Sequence, residues 1–326
     1  MKFTNEDLQK FIDRIKLKPE SMGKYRDQIN NLREKLEKKI KEDDSNELRV
    51  SKYLLAGSWK KKTILRKTSD FPIDIDLVLF VGGNLEKAKD VKKLHDFIVD
   101  YLEAIYPQKD INRDVDAEGN TKSITIKFSG TGLHVDIVPV VPLKELEGYV
   151  WQPQRGGGGT YTTSVEGQLA FSQQLRKDNP SYTSIVRALK WWRNEKELKP
   201  EGGDPGLSSF AIELIVAHLD ITHGKEDNIE AGIIRFFEFV SGPDFPEIFF
   251  EGAINRIPEY DTPIFIADNT NNENNVAKKM DAPTWEEVKA EAEEAFDSLN
   301  IAQSKKIKRE TIEEWKSVFG SHFNID

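Results

Sequence analysis

Apolar positions in the first forty-five residues recur at helical spacing. Leu8, Phe11, Ile12 and Ile15 share one face, and Ile29, Leu32, Leu36 and Ile40 do so between Lys24 and Lys41. Residues 3–45 are therefore predicted as helix, with a solvated Lys/Glu-rich face opposite. The period then shortens to two. Val50 to Ala56 is apolar and ends at Gly57-Ser58, and a basic, Thr-containing loop continues to Lys67. IDIDLVLFV (73–81) alternates through its first half and is then continuously apolar. That pattern predicts a strand buried on one face, with acids at one end of the other. Leu85 to Ala104 reads as helix, with Leu94, Phe97, Ile98, Tyr101 and Leu102 on one side. SITIKF (123–128) and GLHVDIVPVVP (132–142) read as strands, and the prolines of the second predict an edge position.

Beyond about residue 150 the character changes. WQPQRGGGGTY (151–161) reads as a flexible glycine loop, and helical patterns dominate after it: Glu166–Leu175, Ser181–Glu197, Ser208–Leu219, Asn228–Val240, Thr284–Leu299 and Thr311–Phe319. Pro283 ahead of Thr284-Trp285-Glu286-Glu287 resembles a helix start. No internal repeat is present. The expected organisation is a mixed sheet domain, roughly 45–150, followed by a helical domain, roughly 160–326, with the N-terminal helix packed across both.

Composition narrows the class. The 326 residues are 38% hydrophobic and 32% charged, adequate for a folded chain with a soft prior of about two domains. No run approaches the roughly 18 apolar residues of a membrane span, and the charged N-terminus MKFTNEDLQKFIDRIK does not read as a secretory signal. Cysteine is absent, which removes disulfides, thiolate metal sites and cysteine nucleophiles, and a cytoplasmic location is expected. The net charge of -9 argues against broad binding to nucleic-acid backbone.

The chemistry concentrates on three carboxylates. Asp74 and Asp76 are two apart on a predicted strand, so both leave the same face. Asp136 lies in the alternation His134, Asp136, Val138 on another. If the strands are neighbours, three anions meet, and such a cluster calls for a cation among them. Mg²⁺ prefers hard oxygen ligands and substrate phosphates, and two such ions would clamp the attacking and leaving oxygens of an in-line phosphoryl displacement. Gly57 and Ser58 supply close backbone approach and a hydroxyl for phosphate oxygens, with Lys60, Lys61, Lys62 and Arg66 adding positive charge. The five histidines form no metal-ligand spacing. His134, two before Asp136, could face the site, with a satisfied strand histidine the favoured reading, and Trp191 and Trp192 could stack a base, with core packing favoured for at least one.

Taken in order, these residues resemble the DNA polymerase β-like nucleotidyltransferase superfamily: a hydrophobic residue, G-[GS], a variable loop, D-h-[DE]-h and later h-[DE]-h. Within it the chain resembles the bacterial cGAS/DncV-like nucleotidyltransferases. GSWKKKTILR (57–66) is similar to that family's GSxxKGTxLR, and GTGLHVDIVPV (130–140) to its GxGLxVDIVPV. IVRALKWWR (185–193), SSFAIELI (208–215), DNTNNENNVA (268–277) and TIEEWKSVFGSHF (311–323) resemble further blocks, so the likeness spans nearly the whole chain. It is nearest the clade whose members often accompany HORMA-domain regulators. Two departures stand out. The loop between Ser58 and Asp74 is a few residues longer than usual, and Lys62 stands where relatives have Gly.

The resemblance implies an α+β fold: a polymerase β-like core sheet with a long N-terminal helix over 1–159, then a helical C-terminal domain over 160–326. It implies Asp74, Asp76 and Asp136 as catalytic, metal-binding residues for two Mg²⁺, with Mn²⁺ as a substitute. Gly57 and Ser58 match the donor-phosphate loop, and Lys190 and Ser209 match residues that hold the triphosphate. Asp268, Asn274 and Asn275 carry at most a structural or base-proximal role. The implied activity joins and cyclises nucleoside triphosphates, ATP being the expected one, into a cyclic di- or trinucleotide second messenger with release of pyrophosphate, in anti-phage signalling. The implied partners are HORMA-domain and TRIP13-like regulators and a cyclic-nucleotide-activated effector. The competing expectations are a linear oligoadenylate synthetase, an RNA-tailing enzyme of the CCA-adding kind, a metal-dependent nuclease and a catalytically dead scaffold.

Overall fold

A computed structural model describes residues 1–68, 71–83, 91–112, 123–153, 160–199 and 206–326. The chain divides into two compact units. One is contiguous, Leu17–Leu169, and the other joins Met1–Lys16 to Ala170–Asp326. The N-terminal helical stretch is accordingly two helices, α1 (Asn5–Ile15) and α2 (Pro19–Glu42). Thr4 caps α1 in a capping box with Asp7. Pro19 starts α2, and Lys18 before it is extended, φ -73 and ψ 137. A proline disfavours helical geometry in the residue it follows but is preorganised for a first helical turn, so one amphipathic pattern becomes two helices.

The sheet unit contains β1 (Leu48–Leu55), α3 (Gly57–Lys61), β2 (Ile73–Gly83), α4 (Val91–Ile105), β3 (Asp110–Asn112), β4 (Ile124–Phe128), β5 (Leu133–Pro142), β6 (Val150–Pro153) and β7 (Thr160–Thr163). The strand order is β1-β2-β5-β4-β3, with β6 paired to β5 and β7. β2 and β5 run parallel and their other neighbours antiparallel, giving a mixed sheet. Odd-numbered residues of β2 and β5, such as Ile75, Leu77, Val135 and Ile137, enter a core shared with Ile29, Leu32 and Leu36 of α2 and Leu94, Ile98 and Leu102 of α4. The opposite face is apolar in its second half, where Val78, Phe80 and Val140 cluster with Val150 and Val165. The continuously apolar end of IDIDLVLFV is thus covered on both sides. Each fully buried aliphatic side chain here contributes about 1.5–3 kcal/mol.

Three expectations change. β5 is an interior strand despite its prolines. On the side away from β2, pairing with β4 ends at Ile137 and pairing with β6 begins at Val141, so Pro139 falls in the gap where no ladder donor is needed. The ends of the segment 151–161 are strand, with Trp151 and Gln152 opposite Thr162 and Tyr161, while residues 154–159 lie outside the described residues. The helix expected from Leu85 is described only from Val91.

The second unit is mainly helical: α1, α5 (Val165–Asp178, within which the division falls), α6 (Tyr182–Glu195), α7 (Ser209–His223), α8 (Ile229–Val240), α9 (Ala282–Ser304) and α10 (Lys308–Phe319). A small sheet of β8 (Glu247–Ile248), β9 (Phe265–Asp268) and β10 (Asn271–Asn275) accompanies them. Its Asn-rich second half carried no strand signal. Aromatic rings dominate this core: Phe11 of α1 lies 5.4 Å from Phe319 and 5.0 Å from Phe323, and Trp192 lies 4.9 Å from Phe237. Among the described residues, no helix is long and apolar enough to cross a membrane.

Candidate active site

The register of three strands assembles the carboxylate face. Asp76 of β2 is the cross-strand partner of Asp136 of β5, and Asp74 that of His134. On the other side of β5, Thr125 of β4 is opposite Asp136, and Lys127 opposite His134. Because side chains alternate along each strand, these residues form two transverse polar rows on one face, Thr125–Asp136–Asp76 and Lys127–His134–Asp74. The acids are half-buried. Thr125 Oγ1 donates to Asp136 Oδ1 at 2.5 Å. His134 Nδ1 lies 3.6 Å from Asp74 Oδ1, so this strand histidine faces the carboxylates and has Asp74 as a neighbour. Lys127 Nζ is 3.0 Å from Asp110 Oδ2.

β1 delivers Gly57 to the same place. The Ala56 amide donates to the Asp76 carbonyl at 2.9 Å, and the chain then turns at Gly57 with φ +52. A Cβ on Gly57 would overlap Asp76 Oδ2, so only glycine admits this approach. Ser58 follows in α3, and its carbonyl accepts from the Thr63 amide at 2.9 Å. Trp59 is buried and anchors the turn in the core beneath the sheet. Lys60 and Lys62 are exposed and Lys61 is buried. Lys62 ends α3 in the left-handed conformation, φ 60 and ψ 32. A side chain in this conformation is strained by roughly 1 kcal/mol, which a glycine would not be.

Among the described residues, no three acidic or histidine side chains converge into a ready-made metal cage. Asp74, Asp76 and Asp136 are neighbours on one face, and gathering three like charges around a point requires a cation's charge. Their donor set is hard carboxylate oxygen, which suits a divalent ion such as Mg²⁺ and not a soft metal. The residues fit such an ion.

Lys190 and Ser209 belong to the helical unit. Lys190 sits mid-α6 with 5% of its surface exposed, unusual for a lysine, which is almost never buried without a partner. Ser208 caps α7, its hydroxyl accepting from the Ala211 amide at 3.0 Å, which makes Ser209 the first helical residue. Arg193, one turn beyond Lys190, donates to the Leu207 carbonyl at 2.8 Å and approaches the Ser209 hydroxyl at 3.3 Å. It ties α6 to the start of α7, a role with no signal in its spacing. Trp191 and Trp192 are both core: Trp191 Nε1 donates to the Phe319 carbonyl, and Trp192 packs on Phe236 and Phe237. Asp268 accepts from the Thr270 amide and hydroxyl, and Asn275 bonds Ile264, Ile266, Ala277 and Thr262, which are contacts that hold the β9–β10 hairpin.

Comparison with known proteins decides the family. The model of the Second Messenger Oligonucleotide or Dinucleotide Synthetase domain matches residues 1–176, more than half of the chain. The CBASS oligonucleotide cyclase CdnC of Escherichia coli strain KTE188 is 30% identical over 327 residues, covering 100% of this chain and 99% of the relative. The chain belongs to the CD-NTase family. The cyclic AMP-AMP-AMP synthase of E. coli strain MS 115-1 is 28% identical over 318 residues, 95% of this chain and 94% of that one. The solved structure of E. coli MS115-1 CdnC with HORMA-deltaN superposes with a TM-score of 0.78 at 24% identity, covering 98% of both chains, and shows the same fold. CD-NTases of CBASS defence are nucleotidyltransferases that make cyclic oligonucleotides, and such enzymes use divalent metal ions.

Proposed function

We propose that this CD-NTase joins and cyclises nucleoside triphosphates, ATP foremost, into a cyclic di- or trinucleotide messenger. The observation that supports the reading is the pairing of Asp76 with Asp136 on adjacent parallel strands, with Gly57 pressed against Asp76. Asp74, Asp76 and Asp136 would hold two Mg²⁺, which when bound would supply the positive charge that stabilises the developing charge of phosphoryl transfer. Gly57 and Ser58 receive phosphate oxygens of the donor nucleotide, through backbone amides and the Ser58 hydroxyl. Lys190 and Ser209 hold the triphosphate, Lys190 as a point charge and Ser209 with its hydroxyl at a helix start. Asp136 accepts the proton of the attacking ribose hydroxyl as its oxygen bonds to the α-phosphorus and the bond to pyrophosphate breaks. Each linkage, including ring closure, repeats this step on the same residues.

Adenosine is the expected base because the relative from strain MS 115-1 is a cyclic AMP-AMP-AMP synthase. A HORMA-domain regulator, with a TRIP13-like partner and a messenger-activated effector, completes the proposed defence system, since the CdnC of that strain assembles with a HORMA protein. The test is pyrophosphate release and mass spectrometry of products from all four triphosphates, with and without such a regulator. The wild type is expected to yield a phosphatase-resistant cyclic product, and replacing both Asp74 and Asp76 with Asn to abolish turnover while the melting temperature holds. Unchanged turnover in the double variant would refute the assignment.

A further inference from the structure

Thr125 stands at a position that nothing in its own strand explains. Ile124, Ile126 and Phe128 of β4 point into the core, while Thr125 and Lys127 take the opposite face. Thr125 is only 5% exposed, and a hydroxyl so buried needs a partner. Its partner is Asp136 Oδ1, the residue directly across the antiparallel ladder. Asp76 continues the same row on the far side of β5. A β-branched side chain has few χ1 choices, so the threonine is a stiff support and fixes one oxygen of the carboxylate. Fixing one oxygen sets the plane of the carboxyl group and hence the direction of the other.

The charge of the donor matters as much as its position. A lysine or arginine opposite Asp136 would cancel its charge in a lasting ion pair. The strand does carry a lysine, but one row away and turned to Asp110. The neutral threonine orients Asp136 without itself adding a positive charge to the site. We propose that Thr125 is a positioning residue of the carboxylate site, its hydroxyl holding Asp136 in the orientation that shares a divalent ion with Asp76. The inference rests on the metal role of Asp136 proposed above. Groups that orient a metal ligand are commonly worth about 10–100-fold in affinity or activity.

The test replaces Thr125 with Val, which keeps the shape and loses the hydroxyl, and with Ser, which keeps the hydroxyl. Binding of Mn²⁺ to the nucleotide-free full chain is titrated by electron paramagnetic resonance, beside pyrophosphate release at varied metal and ATP. Thr125→Val is expected to weaken Mn²⁺ binding about 10–100-fold and to raise the half-saturating metal concentration in parallel, with the KM for ATP moved much less. Thr125→Ser is expected to recover most of both. Wild-type Mn²⁺ affinity in the Val variant, or a Ser variant as impaired as Val, would overturn the proposal. If Val lowers the melting temperature in chelator, the Ser variant decides alone: retained Mn²⁺ affinity supports the role and lost affinity refutes it. A wild type that releases no pyrophosphate would instead refute the proposed function itself.

Discussion

In the sheet unit, polar residues line up on a half-exposed face: Thr125, Asp136 and Asp76 in one row, Lys127, His134 and Asp74 in the next. In the helical unit, comparable residues are buried in structural clamps. Asp220 accepts from Asn179 at 2.8 Å and pairs with Arg235, which also donates to the Gly224 carbonyl. Glu230 accepts from the Phe3 amide at 2.6 Å and from Gln303 at 3.0 Å. The charges divide the same way. The sheet unit holds 25 Lys and Arg against 24 Asp and Glu, net +1, and the helical unit 22 against 32, net -10. The acidity that argued against broad binding to nucleic-acid backbone thus lies in the unit without the carboxylate face. A net charge summed over a chain says little about a site, whereas one resolved by unit is informative.

The contrast can be broken at several points. Trp192→Ala should cost about 3–5 kcal/mol, because it empties a fully buried aromatic position. Scanning calorimetry should show a loss of roughly 10 °C for a unit of this size. A smaller loss would mean that the helical core is less tightly packed than its rings imply. Gly57→Ala should lower turnover on the order of 100-fold, because the new methyl displaces Asp76 and a displacement of about 1 Å at a reacting centre costs that much. Steady-state pyrophosphate assays test this, and full activity would show that the face tolerates what its geometry forbids.

Lys62→Gly should raise stability by about 0.5–1 kcal/mol, since it relieves a left-handed residue whose side chain is exposed. Denaturant unfolding measures the gain, and a loss would show that the lysine side chain contributes more than its backbone strain costs. The smallest effect is electrostatic. Burial pushes the Glu230 carboxyl above the usual range, against hydrogen bonds from Gln303 and Phe3. Its favourable contribution is complete below about pH 4.5, the unfolded value, and is lost as pH rises through the higher folded value. In the sheet unit, Asp43 is held low by hydrogen bonds from Ser45, Tyr101 and Asn46, so its small contribution is present above about pH 3.8 and lost on further acidification. Glu230→Gln should flatten the pH dependence of unfolding above about pH 4.5. An unchanged slope would remove Glu230 from the account.

Much of this was readable in the chain. The period of two put Asp74 and Asp76 on one face and Asp136 in the polar phase of its strand, because alternation is local. That Asp76 and Asp136 share a register was not readable, since pairing is set by contacts sixty residues apart. Thr125 sat in the polar phase of SITIKF, and only its partner across the ladder gives it a role. The division of the first helix at Pro19 had its signal in the sequence, outweighed by apolar spacing that continued through it. The β9–β10 hairpin had almost none, because asparagine side chains hold it where β-branched residues usually would.

The break before Pro19 also orders the making of the protein. Leu17–Leu169 is one uninterrupted stretch and can fold as it leaves the ribosome. The helical unit is discontinuous: Phe11 of α1 packs against Phe319 and Phe323, which lie far along the chain from it. Contacts so far apart in sequence are slow to form, which makes the docking of α1 a late step in the folding of the helical unit.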